Sequence, residues 1–104
     1  MKFVGITSCT VGIAHTYMAR EKLLEAGKEL GMEGYVETQG SAGVEFGLTE
    51  SNIKDADVAI IAADVSVVGE DRFKGKMPLV HVPTNTAIQN PKSLLVTIQK
   101  KLNK

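Results

Sequence analysis

A single cysteine, at position 9, stands among the 104 residues, and no C-x-x-C pair occurs. An internal disulfide, thioredoxin-like redox chemistry and a cysteine-rich zinc site are thereby excluded. Long apolar runs are lacking too: none approaches the ~20 residues a membrane helix requires. The opening stretch turns polar at Thr7 and Ser8, too early for a signal-peptide core. The chain is therefore expected to be soluble and cytoplasmic, with no direct membrane insertion. Acids are missing from both ends. All twelve lie between Glu21 and Asp71, opposed there only by Lys22, Lys28 and Lys54, so a formal net charge of zero conceals basic ends. These basic segments are sparse, and aromatic residues are only 5% of the chain. That is too little to stack on bases, so nucleic acid is not an expected partner. There is no internal repeat, no low-complexity tract, no linker and no metal-ligand cluster. No cofactor and no metal are expected.

What is present is a globular composition, 43% hydrophobic and 23% charged. The length fits one domain, residues 1–104, able to fold on one core without staples. Four short apolar runs, at residues 2–8, 34–39, 58–63 and 77–82, predict strands. Residues 13–30 predict a helix, with Ala14, Met18, Leu23, Ala26 and Leu30 near helical spacing and Gly31 as its stop. Residues 49–55 read as a short helix capped by Thr49, with Asn52 at the third position. Residues 91–102 read as a closing amphipathic helix, with Leu94, Leu95, Ile98 and Leu102 on one face and Asn90 as N-cap before Pro91. Strands alternating with helices predict an α/β fold, a parallel sheet in three α/β/α layers. Such sheets bind ligands beyond the carboxyl ends of their strands, where the strand order reverses. The loop after the first strand is the usual candidate, and it holds Cys9.

That loop reads T-S-C-T-V-G-I-A-H-T over residues 7–16. A thiol ends a strand, small residues and Gly12 let the backbone curl, and a helix then begins. Its unsatisfied N–H groups and dipole favour an anion. The same arrangement lowers a thiol below its ordinary value of ~8.5 and stabilises a phosphate carried on it. Two readings of Cys9 stand side by side: an inert buried residue, as cysteine often is, or a reactive thiol. His15 reads either as a surface or capping residue or as a donor to phosphoryl oxygens. Thr10 and Thr16 offer hydroxyls, though threonine near a helix start commonly caps it. Tyr17 and Met18 read as packing residues.

These residues resemble the active-site segment of the fructose-type enzyme IIB domain of the bacterial phosphoenolpyruvate-dependent sugar phosphotransferase system. That segment reads C-P-T-G-I-A-H-T-Y-M-A with a phosphorylated cysteine; residues 9–19 here read C-T-V-G-I-A-H-T-Y-M-A. The likeness continues through V-E-T-Q-G-S at 36–41, I-I-A-A-D at 60–64 and R-F-K-G-K at 72–76, covering roughly residues 2–82. The resemblance implies a four-stranded parallel sheet of order 2-1-3-4. It also implies a relay: a phosphorylated enzyme IIA protein hands a phosphoryl group from histidine to Cys9. Cys9 passes it to a sugar held by the membrane enzyme IIC permease, at the inner face of the membrane. In that relay the backbone N–H groups of Thr10, Val11, Gly12, Ile13, Ala14 and His15 hold the phosphoryl oxygens. Thr10 replaces the family's proline and frees an N–H; Val11 replaces a threonine and removes a hydroxyl.

Other positions are read more plainly. Gln39, Gly40 and Ser41 follow the second strand, as a simple turn or a partner-facing rim. Asp64 ends the third strand and either fixes the next turn or touches the site, where its charge would oppose a phosphothiol. Arg72 and Lys76 are solvated charges or contacts for an acidic partner, and His81 is structural. Two further functions remain open on the residues alone. A cysteine phosphatase of the low-molecular-weight type needs an arginine six residues after the cysteine, where this chain has His15. An anion-binding regulatory module would leave the thiol idle. The starting Met1 and short basic tail are expected to mark a separate subunit.

Overall fold

The computed structural model describes residues 1–9, 13–40 and 43–103. Its elements run β1 (Lys2–Ser8), α1 (Ile13–Glu29), β2 (Glu33–Gly40), β3 (Gly43–Glu45), α2 (Glu50–Lys54), β4 (Val58–Ala63), β5 (Leu79–Val82), α3 (Thr84–Gln89) and α4 (Pro91–Leu102). The four apolar runs form four parallel strands ordered β2-β1-β4-β5. This is the order the resemblance implies. One strand is added: β3 lies antiparallel along the outer edge of β2, pairing Thr38 with Glu45 and Gly40 with Gly43. It carries a single apolar residue, Val44, and so leaves no hydrophobic signature. Gly43, at a φ of 90°, supplies the left-handed backbone on the return into β3.

Side chains alternate between the two faces of the sheet. Phe3, Val36, Val58, Ile60 and Ala62 pack under α1, α3 and α4, where they meet Ala19, Leu23, Ala26, Ala87, Leu95 and Ile98. Val4, Ile6, Ala59 and Ile61 face the other way, against Ile53 of α2 and Phe73. The result is the expected three layers, thick on one side and thin on the other. Phe3 explains two glycines: a Cβ at Gly34 would lie 2.2 Å from its ring, and one at Gly27 would lie 2.8 Å away. A mid-helix glycine costs up to about 1 kcal/mol against alanine, and here it seats the ring.

The buried stripe of α1 runs through Ala19, Leu23 and Ala26, and three residues predicted on it fall outside. Ala14 and Met18 are exposed because they lie to either side of the narrow line the sheet covers, and Leu30 is exposed just beyond the end of the helix. The helix stops as expected. Gly31 takes a φ of 73°, and the Met32 N–H reaches back to the Gly27 carbonyl at 2.7 Å. Thr49 and Asn52 form the reciprocal cap of α2. Asn90 holds the N-cap position of α4, but its side chain makes no capping bond. The helix α3 carries no strong sequence signal, since T-N-T-A-I-Q is poor in helix formers.

Candidate active site

Cys9 immediately follows β1, and Asp64 immediately follows β4, the two central strands. The chain leaves β1 towards β2 on one side and reaches β4 and β5 on the other, so the strand order reverses between them. Backbone pairing holds the two ends together, with the Asp64 N–H donating to the Ser8 carbonyl at 3.0 Å. Across that seam the Cys9 thiol donates to Asp64 Oδ2 at 3.1 Å. His15 Nδ1, in the first turn of α1, lies 3.9 Å from the sulfur. Thr84, only 1% exposed at the start of α3, brings a third element in. Its hydroxyl donates to Asp64 Oδ2 at 2.6 Å and its N–H to Asp64 Oδ1 at 3.1 Å. The same hydroxyl lies 3.9 Å from the sulfur. Three loops thus converge on one half-buried thiol.

Of the two readings of Asp64, the contact with the site is the one the geometry gives: its carboxylate meets Cys9 and Thr84 at the start of α3, not the turn that follows β4. Its carboxyl is held below the usual range, chiefly by the Thr84 hydroxyl and then by the Cys9 thiol, with burial opposing them. Thr84 is the residue sequence reasoning missed. Its only signal is its place just after the last parallel strand, at the edge where such sheets bind ligands. No acid lies in the first turn of α1, which leaves that helix end open to an anion. Thr10, Val11, Gly12 and Ser41 lie outside the described residues. Ile13 and Ala14 begin α1, and Ala14 is exposed. Thr16 is buried, and its carbonyl accepts from Thr7 Oγ1 at 3.0 Å.

Two residues expected on a partner-facing rim are engaged internally. Gln39 is 8% exposed, and its amide bonds the Val68 backbone twice, at 2.8 and 2.9 Å. It also donates to Glu37 at 2.9 Å. Arg72 grips Glu37 in a two-pronged pair at 2.9 and 3.1 Å, and Leu48 N–H adds a bond at 3.1 Å. Burial pushes Glu37 up, but Arg72, Gln39 and Leu48 together pull it below the usual carboxylate range. This buried network clamps residues 68–72 to β2. The polar residues at 37, 39 and 72 were legible, but their pairing needed the fold. Gly40 is exposed, and Lys76 is exposed too. His81 lies at the surface of β5, where it meets Glu70 at 2.5 Å. The opposite rim is aromatic: Tyr17 donates to Glu45 and packs edge-on against Phe46, over which Arg20 stacks at 3.7 Å.

Fold and site define a class: a doubly wound α/β protein presenting a cysteine thiol at the switch point of its sheet. Among the described residues, no helix is long and apolar enough to cross a membrane. The family model described as "PTS system, Lactose/Cellobiose specific IIB subunit" matches residues 4–97. The chain is 40% identical over 101 residues to the "PTS system fructose-like EIIB component 2" of Escherichia coli, covering 97% of this chain and 94% of that protein. It is 47% identical over 102 residues to the "PTS system fructose-specific EIIABC component" of Bacillus subtilis, covering 98% of this chain but 15% of that one. The solved Enzyme IIB subunit of the PTS system from Escherichia coli superposes with a TM-score of 0.90 at 30% identity. That match covers 98% of this chain and 94% of the other. The chain belongs to the IIB family of the sugar phosphotransferase system, on its fructose-like side, and is a phosphoryl-transfer component. Relatives named EIIABC indicate that its partners are other components of that system.

Proposed function

We propose that Cys9 is the phosphoryl acceptor and that residues 1–104 act as one cytoplasmic IIB unit. A phosphohistidine on enzyme IIA supplies the group, and a sugar bound by the membrane enzyme IIC receives it. The observation that carries this reading is the half-buried Cys9 thiol, met by Asp64, Thr84 and His15 beside the acid-free start of α1. In the first step the sulfur attacks phosphorus in line with the departing imidazole nitrogen. The N–P bond breaks with its electron pair staying on nitrogen, and the thiol proton ends there. Backbone N–H groups at the start of α1 receive the phosphoryl oxygens.

Incubation with phosphoenolpyruvate, the general phosphotransferase proteins and enzyme IIA tests this directly. The expected product is a base-stable, iodine-labile phosphothiol on Cys9, absent in Cys9→Ser. Turnover of an aryl phosphate without those proteins would favour the phosphatase instead. That reaction lacks its arginine here, since position 15 is histidine.

A further inference from the structure

Asp64 accepts a hydrogen bond from the sulfur that is to react, and a carboxylate is an odd neighbour for a group that will carry a phosphate. Its orientation is imposed. Thr84 binds both carboxylate oxygens, one through its N–H and one through its hydroxyl, and so turns Oδ2 towards Cys9. Arg72, the cation nearest in the sequence, is committed to Glu37. From α1, the titratable side chain facing the sulfur is His15. We propose that Asp64 sets the phosphoryl-transfer potential of Cys9, favouring the unphosphorylated thiol and so making the phosphocysteine a readier donor.

The proposal rests on Cys9 being phosphorylated, and two effects of opposite state carry it. Before transfer, the thiol proton holds Sγ and Oδ2 together in a hydrogen bond to a charged acceptor, which is stronger than a neutral one. During transfer that proton leaves with the donor imidazole, the S–P bond forms, and the hydrogen bond is lost. After transfer, a dianionic phosphoryl group stands beside a carboxylate. Like charges this close, at a protein surface, repel by more than thermal energy. Both effects pull the equilibrium towards the unphosphorylated thiol, and relief of both accompanies passage of the group to the next acceptor. Thr84 acts oppositely in the phosphorylated state. Its hydroxyl, already 3.9 Å from the sulfur, is free to turn from Asp64 towards a phosphoryl oxygen.

The test is the equilibrium of phosphoryl exchange with histidine-phosphorylated enzyme IIA, read by phosphorus NMR on the full chain. Asp64→Asn is expected to raise the fraction on Cys9, shifting the equilibrium constant about tenfold and slowing onward transfer to sugar. Asp64→Ala, which leaves no amide against the sulfur, should shift it the same way. General damage to the site would lower phosphorylation in every variant. If wild type and both Asp64 variants are phosphorylated to the same extent, or the Asp64 variants less, the proposal is overturned. A wild type that takes no phosphoryl group on Cys9 overturns the phosphocysteine reading and this inference with it.

Discussion

Two carboxylates of the same sheet, one within β2 and one just beyond β4, meet opposite fates. Glu37, 2% exposed, has a guanidinium across two bonds, an amide and a backbone N–H around it. Asp64, exposed, has hydrogen bonds from Thr84 and Cys9 and no ion pair among the described residues. A buried carboxylate must be neutralised because desolvation penalises its charge heavily. An exposed one keeps its charge cheaply, and that charge remains available to act on a neighbour. The first is a structural clamp on residues 68–72, and the second lies against the candidate thiol.

The contrast breaks most visibly at Arg72. Arg72→Met leaves Glu37 buried without its partner and should cost roughly 3 kcal/mol in urea unfolding at neutral pH. Converting Glu37→Leu in the same chain should recover most of that loss, since a buried ion pair gains little over a matched apolar pair. Acid sharpens the comparison further. Glu37 is lowered on folding, so its contribution is fully present above its unfolded value of about 4.3 and is lost as pH falls through the lower folded value. Stability measured from pH 7 to 2 should therefore decline less steeply in Glu37→Gln than in the wild type. The smallest effect belongs to the exposed carboxylate. Thr84→Val should cost about 1 kcal/mol, and by releasing Asp64 it should flatten the part of the acid limb below about 3.9.

Much of this could be read without coordinates, and the reasons are local. The run at residues 58–63 is continuously apolar and that at 2–8 mostly so, each short enough to read as a buried strand, and Thr49 with Asn52 announces a helix start by hydrogen-bonding chemistry alone. Gly31 announces a helix end in the same way. What stayed hidden lacked a local signature. The edge strand Gly43–Glu45 is too short to alternate, and α3 is built from weak helix formers. The stripe of α1 was only partly placed: Leu23 and Ala26 are buried, but Met18 is apolar yet lies off the covered line and Leu30 falls beyond the helix end.

The site divides along the same boundary. Sequence alone determined that one thiol ends the first strand before a helix without acids in its first turn, because strand, loop and helix start are contiguous there. Only the tertiary structure decided what that thiol touches. Asp64 is 55 residues from Cys9 and Thr84 is 75 residues away. They meet the sulfur because parallel pairing of β1, β4 and β5 brings the carboxyl ends of all three strands to one edge. The same pairing took Gln39 and Arg72 out of the expected rim and into a buried clamp, since a charge enclosed at Glu37 has to be met by one of opposite sign.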